Sequence, residues 1–406
     1  MRAGFQIVEG GLDGVLGIFA GGIRCGIKNK RRDLAVIYSR VPAWAAGVFT
    51  QNQIQAAPVT VTRNNLQKTK KLQLVVVNSG VANACTGKKG LEDAERMAEL
   101  GAQIFDLPQK ELVGVASTGV IGEFLPMDKI EQGLLNLRNG FPEQFFAHDA
   151  ALAIMTTDTV PKEHACQFSI GGQEVHLAGI AKGSGMIRPN MATMLSFLAC
   201  DAEIESASLE RALKIATQQS FNRITVDGDT STNDMVLILA NGQSGAHPIK
   251  ESDSEFSTFQ KALNWLTGEL ARDIVRDGEG ATKFVKVVVK GGKNEEEARK
   301  CAYTIAESPL VKTACFGEDP NWGRIVAAAG RSGAKFDPNA LSVIVNGVSF
   351  VEKGMGARGC SRQEMKAVMR EKEIEVVVNL GVGEQGFEVW TCDLSFDYVK
   401  INSHYS

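Results

Sequence analysis

The chain has 406 residues, of which 44% are hydrophobic, enough for two or three ordinary domains or for one large layered domain. Lysine and arginine total 44 against 47 aspartate and glutamate residues, which gives a formal net charge of −3, and aromatic residues make up 7%. This balance excludes the basic surface and the stacking platform of a typical nucleic-acid-binding protein. No apolar run approaches the roughly 20 residues that span a bilayer, so a soluble protein is expected.

The first half of the chain alternates between strand and helix patterns. Short apolar runs rich in β-branched residues predict buried strands at 72–78 and 111–118. Between them, residues 91–106 have apolar side chains at helical spacing and begin with acidic residues, which favour the positive end of a helix dipole. A strand–helix–strand order is therefore predicted here.

The second half contains two predicted helices and a series of predicted strands. The helices are expected at 207–221 and 294–307, the second with an acidic first turn. The strand patterns are MVLILA (235–240), FVKVVVKG (284–291), LSVIVNGVSF (341–350), IEVVVNLG (374–381) and EVWTCDLSFDYVKIN (388–402). Their alternation favours antiparallel sheets with one covered face. The whole chain is predicted to be an α/β protein of mixed sheets covered by helices.

Cysteine and histidine residues are scattered along the chain. The eight cysteines include no C-x-x-C pair, and the five histidines do not cluster. This distribution is typical of buried thiols in a reducing compartment and not of a disulfide or zinc framework. We therefore expect a cytoplasmic protein that holds no metal.

Phosphate-binding and hydrolase motifs are incomplete in this sequence. Gly21 and Gly26 have the spacing of a P-loop, but Ile27 stands where that motif needs lysine. No G-x-G-x-x-G opens a helix after a strand, and no G-x-S-x-G marks a hydrolase nucleophile. Acyl chemistry in this chain would therefore need a base other than histidine.

The stretch AKGSGMIRPNMATML (181–195) is the most informative segment. Two glycines and the Pro189-Asn190 pair predict a sharp turn before Thr193. A threonine at such a turn can attack the preceding carbonyl, and an N-to-O acyl shift followed by hydrolysis would make Thr193 a new N-terminus. Its freed α-amine, with an ordinary pKa near ~8, could then act as the missing base. The alternative is an ordinary turn into a buried element, with Thr193 in a structural role.

This stretch resembles the self-cleavage and nucleophile signature of the glutamate N-acetyltransferase family, whose members are also called ornithine acetyltransferases. Seven further segments match the family in its order: AAGVFTQN (45–52), NSGVANACTG (78–87), ASTGVIG (116–122), TTDT (156–159), VDGDTSTNDM (226–235), GEDPNWGRI (317–325) and YVKINSHY (398–405). Together they extend over nearly the whole chain. The sequence is therefore identified as a member of this family.

The resemblance implies an activity and an assembly. The chain would cut itself between Ala192 and Thr193 into an α chain, 1–192, and a β chain, 193–406, which together form one layered αββα sandwich. Thr193 would then accept the acetyl group of N-acetylornithine and pass it to glutamate in a ping-pong reaction of arginine biosynthesis. No cofactor is implied, although bifunctional members also use acetyl-CoA as acetyl donor. Two α and two β chains would form a heterotetramer.

The resemblance also implies roles for individual residues. Thr118 and Gly119 match the oxyanion-hole pair, and the substrate-binding positions match Thr156, Lys182, Thr193, Glu279 and Asn402. Lys182 would pair with the α-carboxylate of the substrate, Glu279 would hold the ornithine ammonium or help to move protons, and Asn402, in the predicted last strand, would close the pocket. The family usually ends one residue later on a threonine or serine that touches substrate, so Ser406 either takes that role or the contact is absent.

For each of these positions a structural alternative stays open from the residues alone. Thr118-Gly119 is also typical of a strand-end turn, Lys182 of a solvated surface lysine, Glu279 of an exposed turn and Asn402 of a strand edge. Two rival functions stay open as well: a self-cleaving aminopeptidase of the same general fold, and a binding protein that retains the fold without activity.

Overall fold

The computed structural model describes residues 4–188 and 194–403. The chain forms two compact units. The first comprises residues 1–222 and 229–274, and the second comprises 223–228 and 275–406.

In the described part of the first unit, nine strands form one mixed sheet. The strands are β1 (Phe5–Val8), β2 (Ile18–Ile23), β3 (Leu34–Phe49), β4 (Lys71–Val81), β5 (Val113–Val120), β6 (Lys162–Ile170), β7 (Gln173–Lys182), β8 (Leu195–Cys200) and β9 (Met235–Ala240). Their order is β1-β6-β7-β8-β9-β3-β4-β5, with β2 also paired to β3. The pairs β4–β5 and β8–β9 are parallel, and the other pairs are antiparallel.

Helices pack on both faces of this sheet because successive strand residues point to opposite sides. The helices of the first unit are α1 (Ala57–Thr69), α2 (Gly87–Ile104), α3 (Met127–Asn139), α4 (Ala147–Ile154), α5 (Ser206–Gln219) and α6 (Ser254–Arg276), the last of which ends just inside the second unit. Leu34 and Val36 of β3 belong to the same core cluster as α2 and α3, whereas Ala35 and Ile37 belong to a cluster with α4. The predicted α/β class with mixed sheets is confirmed.

The predicted helix at 91–106 is confirmed, but its start was placed too late. Helix α2 begins at Gly87, so its first turn contains no acidic residue, contrary to the prediction. Lys88 and Lys89 occupy that turn, and each makes an ion pair with the acidic residue four positions later. The acidic residues therefore stabilise the helix through side-chain pairs and not through the helix dipole.

The second unit is built on a six-stranded sheet in its described residues. The order is β13-β12-β11-β14-β10-β15. The strands are β10 (Phe284–Gly292), β11 (Ser342–Val345), β12 (Val348–Glu352), β13 (Met355–Gly356), β14 (Glu373–Asn379) and β15 (Gln385–Cys392), and the helices are α7 (Glu295–Ala306), α8 (Pro309–Phe316), α9 (Trp322–Gly330), α10 (Arg362–Met369) and α11 (Phe396–Asn402).

Two predictions for this unit were wrong in part. Strands β10 and β14 pair in parallel, although their alternation suggested an antiparallel sheet throughout. The segment 388–402 is not one strand, because β15 ends at Cys392 and α11 follows. Ser395 caps that helix by accepting a hydrogen bond from the amide of Asp397, a local signal that outweighs the β-branched residues beyond it.

The peptide bond between residues 192 and 193 falls in the connection from β7 to β8. Strand β8 lies between β7 and β9, and Lys182 at the end of β7 is paired with Leu195 at the start of β8. The proposed products 1–192 and 193–406 would therefore contribute adjacent strands to the same sheet.

Solvent exposure varies among the cysteines. Five of the eight are buried, Cys25 and Cys360 are partly exposed, and Cys85 is exposed. Cys85 has a positive φ and lies two residues before the start of α2, and the prediction of buried thiols was wrong there. None of the helices found in residues 4–188 and 194–403 has the length and apolar character that crossing a membrane requires.

Candidate active site

Thr118 and Gly119 lie near the end of β5, where the backbone requires glycine. Gly119 has a φ of +133°, and a Cβ at this position would lie 2.2 Å from the carbonyl carbon of Gly80. Gly80 is the residue paired with Gly119 across the parallel β4–β5 ladder. The two main chains approach so closely that no side chain fits at position 119. The backbone amide of Gly119 is therefore not shielded by a side chain of the same residue.

Lys182, the last residue of β7, is buried beside Thr118. Its side chain is 3% exposed, and its Nζ lies 3.5 Å from Thr118 Oγ1. The structural alternative for Lys182, a solvated lysine on the surface, is therefore wrong. The structure thus brings together two predicted site residues that are 64 positions apart in the sequence.

Asp158, which the sequence analysis did not single out, organises this cluster. Its carboxylate is fully buried and accepts hydrogen bonds from Lys162 Nζ at 2.8 Å, from the Gly183 amide at 2.7 Å and from the Thr156 amide at 2.9 Å. It also lies 3.9 Å from Lys182 Nζ. The available signal was its place inside the matched segment TTDT, between the predicted residue Thr156 and the strand that starts at Lys162.

The charges around Asp158 hold it ionised. Burial alone would raise the pKa of the Asp158 carboxyl, but the ammonium groups of Lys182 and Lys162 outweigh burial and hold that pKa well below its ordinary value. Two positive charges thus surround one negative charge in a buried setting.

A basic loop adds further positive charge. Lys28 Nζ donates to the Met155 carbonyl at 2.8 Å, and Arg31 donates to the carbonyls of Thr156 and Asp158 at 3.2 and 3.1 Å. Burial lowers the pKa of the Lys28 ammonium to about 8, and the nearby charges of Arg31 and Lys182 act in the same direction. Two cationic side chains of this loop therefore hold the backbone of the segment that contains Thr156.

The segment 225–234 is a turn with many side chain–backbone hydrogen bonds that leads into β9. Thr50 Oγ1 donates to the Ser231 carbonyl at 2.7 Å, and the Asn233 amide donates to Ser231 Oγ at 3.0 Å. The side chains of Asn233 and Asp234 are buried. Such bonds satisfy backbone groups in a segment that belongs to neither sheet nor helix.

Glu279 and Asn402 lie in the second unit, where they contact each other. Asn402 Nδ2 donates to Glu279 Oε2 at 2.7 Å, and Glu279 is only 8% exposed, so its alternative as an exposed turn residue is wrong. Asn402 is the last residue of α11 and not part of a strand. A side chain at Gly280 would lie 2.6 Å from the Tyr398 amide, so the turn that follows Glu279 packs directly on α11.

Three predicted positions lie outside the described residues. These are Ala192 and Thr193 at the proposed cut, and Ser406 at the C-terminus. The structure describes Met194, the residue that follows Thr193, and it is buried.

Comparison with known proteins gives matches along almost the whole chain. The ArgJ family model matches residues 19–406. The arginine biosynthesis bifunctional protein ArgJ of Staphylococcus epidermidis is 45% identical over 402 residues, which cover 99% of this chain and 100% of that protein. The protein of the same name from Bacillus thuringiensis subsp. konkukian is 48% identical over 389 residues, which cover 96% of this chain and 95% of that protein.

Two solved structures also match. The crystal structure of arginine biosynthesis bifunctional protein ArgJ from Bacillus halodurans is 46% identical, covers 47% of this chain and 100% of its own, and has a TM-score of 0.44. The ornithine acetyltransferase of Mycobacterium tuberculosis, solved in complex with ornithine, is 36% identical, covers 46% of this chain and 98% of its own, and has a TM-score of 0.41.

Proposed function

The chain belongs to the ArgJ family of bifunctional arginine biosynthesis enzymes, and from this premise we propose that it is a glutamate N-acetyltransferase that moves the acetyl group of N-acetylornithine to glutamate. The observation that supports this most is the buried contact of Lys182 with Thr118 beside the glycine-only position 119. It joins a carboxylate-binding cation to a candidate oxyanion site.

Self-cleavage prepares the nucleophile. The Thr193 hydroxyl attacks the carbonyl carbon of Ala192, an oxygen–carbon bond forms, and the carbon–nitrogen bond of the peptide breaks. Water then hydrolyses the resulting ester, which leaves a carboxylate on residue 192 and a free amine on residue 193. That amine lies on the same residue as the hydroxyl and serves as its general base.

Acetyl transfer then takes two steps. Thr193 Oγ attacks the acetyl carbonyl of N-acetylornithine and gives its proton to the α-amine, which passes a proton to the departing nitrogen of ornithine. The amine of glutamate next attacks the acetyl-threonine ester and restores the hydroxyl. No cofactor enters either step.

The oxyanion of each tetrahedral intermediate is bound at Thr118 and Gly119. The tight approach of Gly119 to Gly80 supports this role, because it fixes the backbone before substrate arrives. A preorganised donor of this kind commonly lowers the barrier by about 3 kcal/mol. The Lys182 ammonium beside Thr118 adds positive charge in a buried setting.

Substrate recognition divides between anionic and cationic ends. Lys182 and the Thr156 segment bind the α-carboxylate that ornithine and glutamate share, and the cationic surroundings of Asp158 support this role. Glu279 and Asn402 are proposed substrate contacts within the second unit, where a buried carboxylate that already accepts one amide hydrogen bond can also bind an ammonium group. Ser406 is a further candidate contact.

The proposal extends to the donor, the assembly and the location. Because the relatives are named bifunctional, acetyl-CoA serves as a second acetyl donor, and an assay with acetyl-CoA and glutamate should release free thiol.

The α chain, 1–192, and the β chain, 193–406, stay together in a heterotetramer in the cytoplasm. Native mass spectrometry should find two copies of each.

Label exchange tests the reaction most sharply. A ping-pong enzyme exchanges labelled ornithine into N-acetylornithine without any glutamate, because the acetyl-threonine intermediate forms and reverses alone. Peptide hydrolysis without this exchange would favour a self-cleaving aminopeptidase. If the chain shows neither activity, the proposal is wrong and a binding protein is favoured.

A further inference from the structure

Two adjacent buried side chains, Asn233 and Asp234, are the last residues of the turn 225–234 before β9, and the function proposed above uses neither. Both belong to the first unit, and both bond to segments far away in the sequence. Two of the bonded residues are neighbours of the proposed machinery, because Ser117 directly precedes Thr118 and Met194 directly follows Thr193.

Asn233 connects the ends of β4 and β5. Its side-chain amide donates to the Ala82 carbonyl at 2.7 Å and to the Ser117 carbonyl at 2.8 Å. Because both partners are carbonyls, only the NH₂ group can face them, which fixes the orientation of the side chain. Ser117 directly precedes Thr118, so these two hydrogen bonds hold the backbone in place one residue before the oxyanion pair.

Asp234 holds the residue after the nucleophile. Its Oδ1 accepts a hydrogen bond from the Met194 amide at 3.0 Å, and the amide of Met235 donates to the Met194 carbonyl at 3.1 Å. Met194 is therefore fixed through both of its backbone polar groups. Its nitrogen is covalently joined to the carbonyl carbon of Thr193, so the anchor acts on the nucleophile through a single peptide unit.

The state of Asp234 fits an anchor that is neutral. The side chain is fully buried. Burial raises the pKa of the Asp234 carboxyl well above its ordinary value, and the opposing effects of the Met194 amide, the Lys182 ammonium and the Thr50 hydroxyl do not cancel this. A protonated carboxyl group still has a carbonyl oxygen that can accept the hydrogen bond from the Met194 amide.

We propose, building on the function above, that Asn233 and Asp234 are positioning residues that together set the nucleophile against the oxyanion pair. Asn233 acts on Thr118 through the Ser117 carbonyl, and Asp234 acts on Thr193 through the Met194 amide. Because the two residues are consecutive, one peptide unit couples the two halves of the site. A displacement of about 1 Å between such groups can cost on the order of 10²-fold in rate.

The test compares Asp234→Asn with Asp234→Ala in the full-length chain. Asparagine keeps an uncharged oxygen for the Met194 amide, so self-cleavage and the kcat of acetyl exchange should stay within about threefold of wild type, a limit set well inside the 10²-fold loss above. Alanine removes the acceptor, so cleavage should slow and kcat should fall on the order of 10²-fold. KM should change little, because neither residue touches substrate. Cleaved protein is counted by denaturing gel and kcat is expressed per cleaved chain.

Asn233→Ala tests the other half of the coupling. It removes both bonds to the carbonyls before the oxyanion pair, so kcat should again fall while KM changes little. The carboxylate of Asn233→Asp would face the same two carbonyls without a proton to donate, and it should not restore kcat.

Asp201→Ala is the matched control. Asp201 is a fully buried carboxyl at the opposite end of β8 that also accepts a backbone amide, from His176 at 2.8 Å. Its loss destabilises the same strand without touching the site. If Asp201→Ala lowers cleavage and kcat per cleaved chain as much as Asp234→Ala, or if Asp234→Ala behaves as wild type, the positioning role is wrong. If wild type itself neither cleaves nor exchanges acetyl groups, the proposed function is wrong and this inference falls with it.

Discussion

At the residue scale, Gly119 is the position where one added carbon decides the geometry of the proposed oxyanion pair. The atoms that a Cβ would meet are the carbonyl carbon and oxygen of Gly80, at 2.2 and 2.5 Å. Both belong to the backbone of a paired strand and cannot move aside as a flexible side chain would. A substitution must therefore separate β4 from β5 at this point.

Gly119→Ala should consequently lower the kcat of acetyl exchange on the order of 10²-fold or more, because a displaced oxyanion donor costs that much. Gly122→Ala is the control: Gly122 also has a positive φ, +91°, but nothing lies within 4 Å of the added Cβ. Both variants carry backbone strain and only the first carries the clash. Equal kcat values for the two would contradict the role of Gly119.

Asp158→Asn should lower the free energy of unfolding by about 3–5 kcal/mol at neutral pH, because it leaves two buried ammonium groups without their shared carboxylate. Urea denaturation measures this. Asp149→Asn breaks a partly exposed ion pair with Arg32 at 2.8 Å and should cost less than about 1 kcal/mol. Equal losses would mean that the Asp158 cluster is no stronger than a surface pair.

Acidification should also remove the stability that the Asp158 carboxylate contributes to the folded protein. Its pKa in the folded protein lies below the ordinary value, so the carboxylate contributes stability that is present above that ordinary value and is lost as pH falls towards the folded-state pKa. Wild type should therefore lose stability on acidification below about pH 4, and Asp158→Asn should lose less over the same range. An identical pH dependence in the two proteins would contradict the assignment.

At the element scale, the short helix α11 connects capping to substrate binding. Ser395 accepts the Asp397 amide at 3.2 Å as the cap, and its hydroxyl donates to the Gly280 carbonyl at 2.6 Å. The start of α11 is thereby tied to the turn after Glu279, and the end of α11 supplies Asn402. The position of Asn402 beside Glu279, and with it the geometry of the proposed ammonium site, therefore depends on how the start of α11 is held.

Ser395→Ala should lower stability by about 1 kcal/mol through loss of the cap and should also raise the KM for N-acetylornithine. Ser361→Ala is matched to it, because Ser361 caps α10 in a capping box and its hydroxyl bonds to Glu364 of that same helix. The two variants should lose similar stability, measured by urea denaturation, while only the first changes KM. A raised KM in both would indicate general loosening of the unit.

Element types were predictable where one local signal dominated. MVLILA and the helix at 294–307 were predicted within a residue of their observed bounds, because a fully apolar run and an acidic first turn are strong local signals. The parallel pairing of β10 with β14 was not predictable from the sequence. Alternation of apolar residues indicates which face of a strand is buried, but it does not indicate which distant strand lies next to it. The 23-residue helix α6 was not assigned at all, although Phe259, Leu263, Leu266 and Leu270 follow helical spacing.

At the scale of the whole molecule, the predicted cut divides a continuous sheet. Nine residue pairs join β6 to β7, and six more join β7 to β8 across the cut. Hydrogen bonds of a buried sheet do not depend on the covalent link between its strands. The two products should therefore behave as one body.

Gel filtration under native conditions should accordingly give a single peak in which both products co-elute, whereas a denaturing gel separates them. The uncut Thr193→Ala variant provides the reference elution volume. Separate native peaks for 1–192 and 193–406 would contradict the shared sheet.

The site was predictable only as a set of positions. The resemblance identified Thr118, Lys182 and Glu279, but residues 64 positions apart in the chain give no local indication that they touch, and outside the motif a solvated surface lysine would be the default interpretation of Lys182. Asp158 and Asp234 were missed because a lone aspartate in a polar segment is usually a turn residue. Their burial and their bonds to backbone amides become visible only in the folded chain.

Everything proposed for the reaction depends on the N-terminus of the β chain, and intact mass spectrometry combined with N-terminal sequencing of catalytically active protein tests it directly. We expect a fragment that begins T-M-L-S at residue 193, equal amounts of the fragment 1–192, and loss of both cleavage and acetyl exchange in Thr193→Ala. An uncut chain that exchanges acetyl groups at the full rate would contradict it.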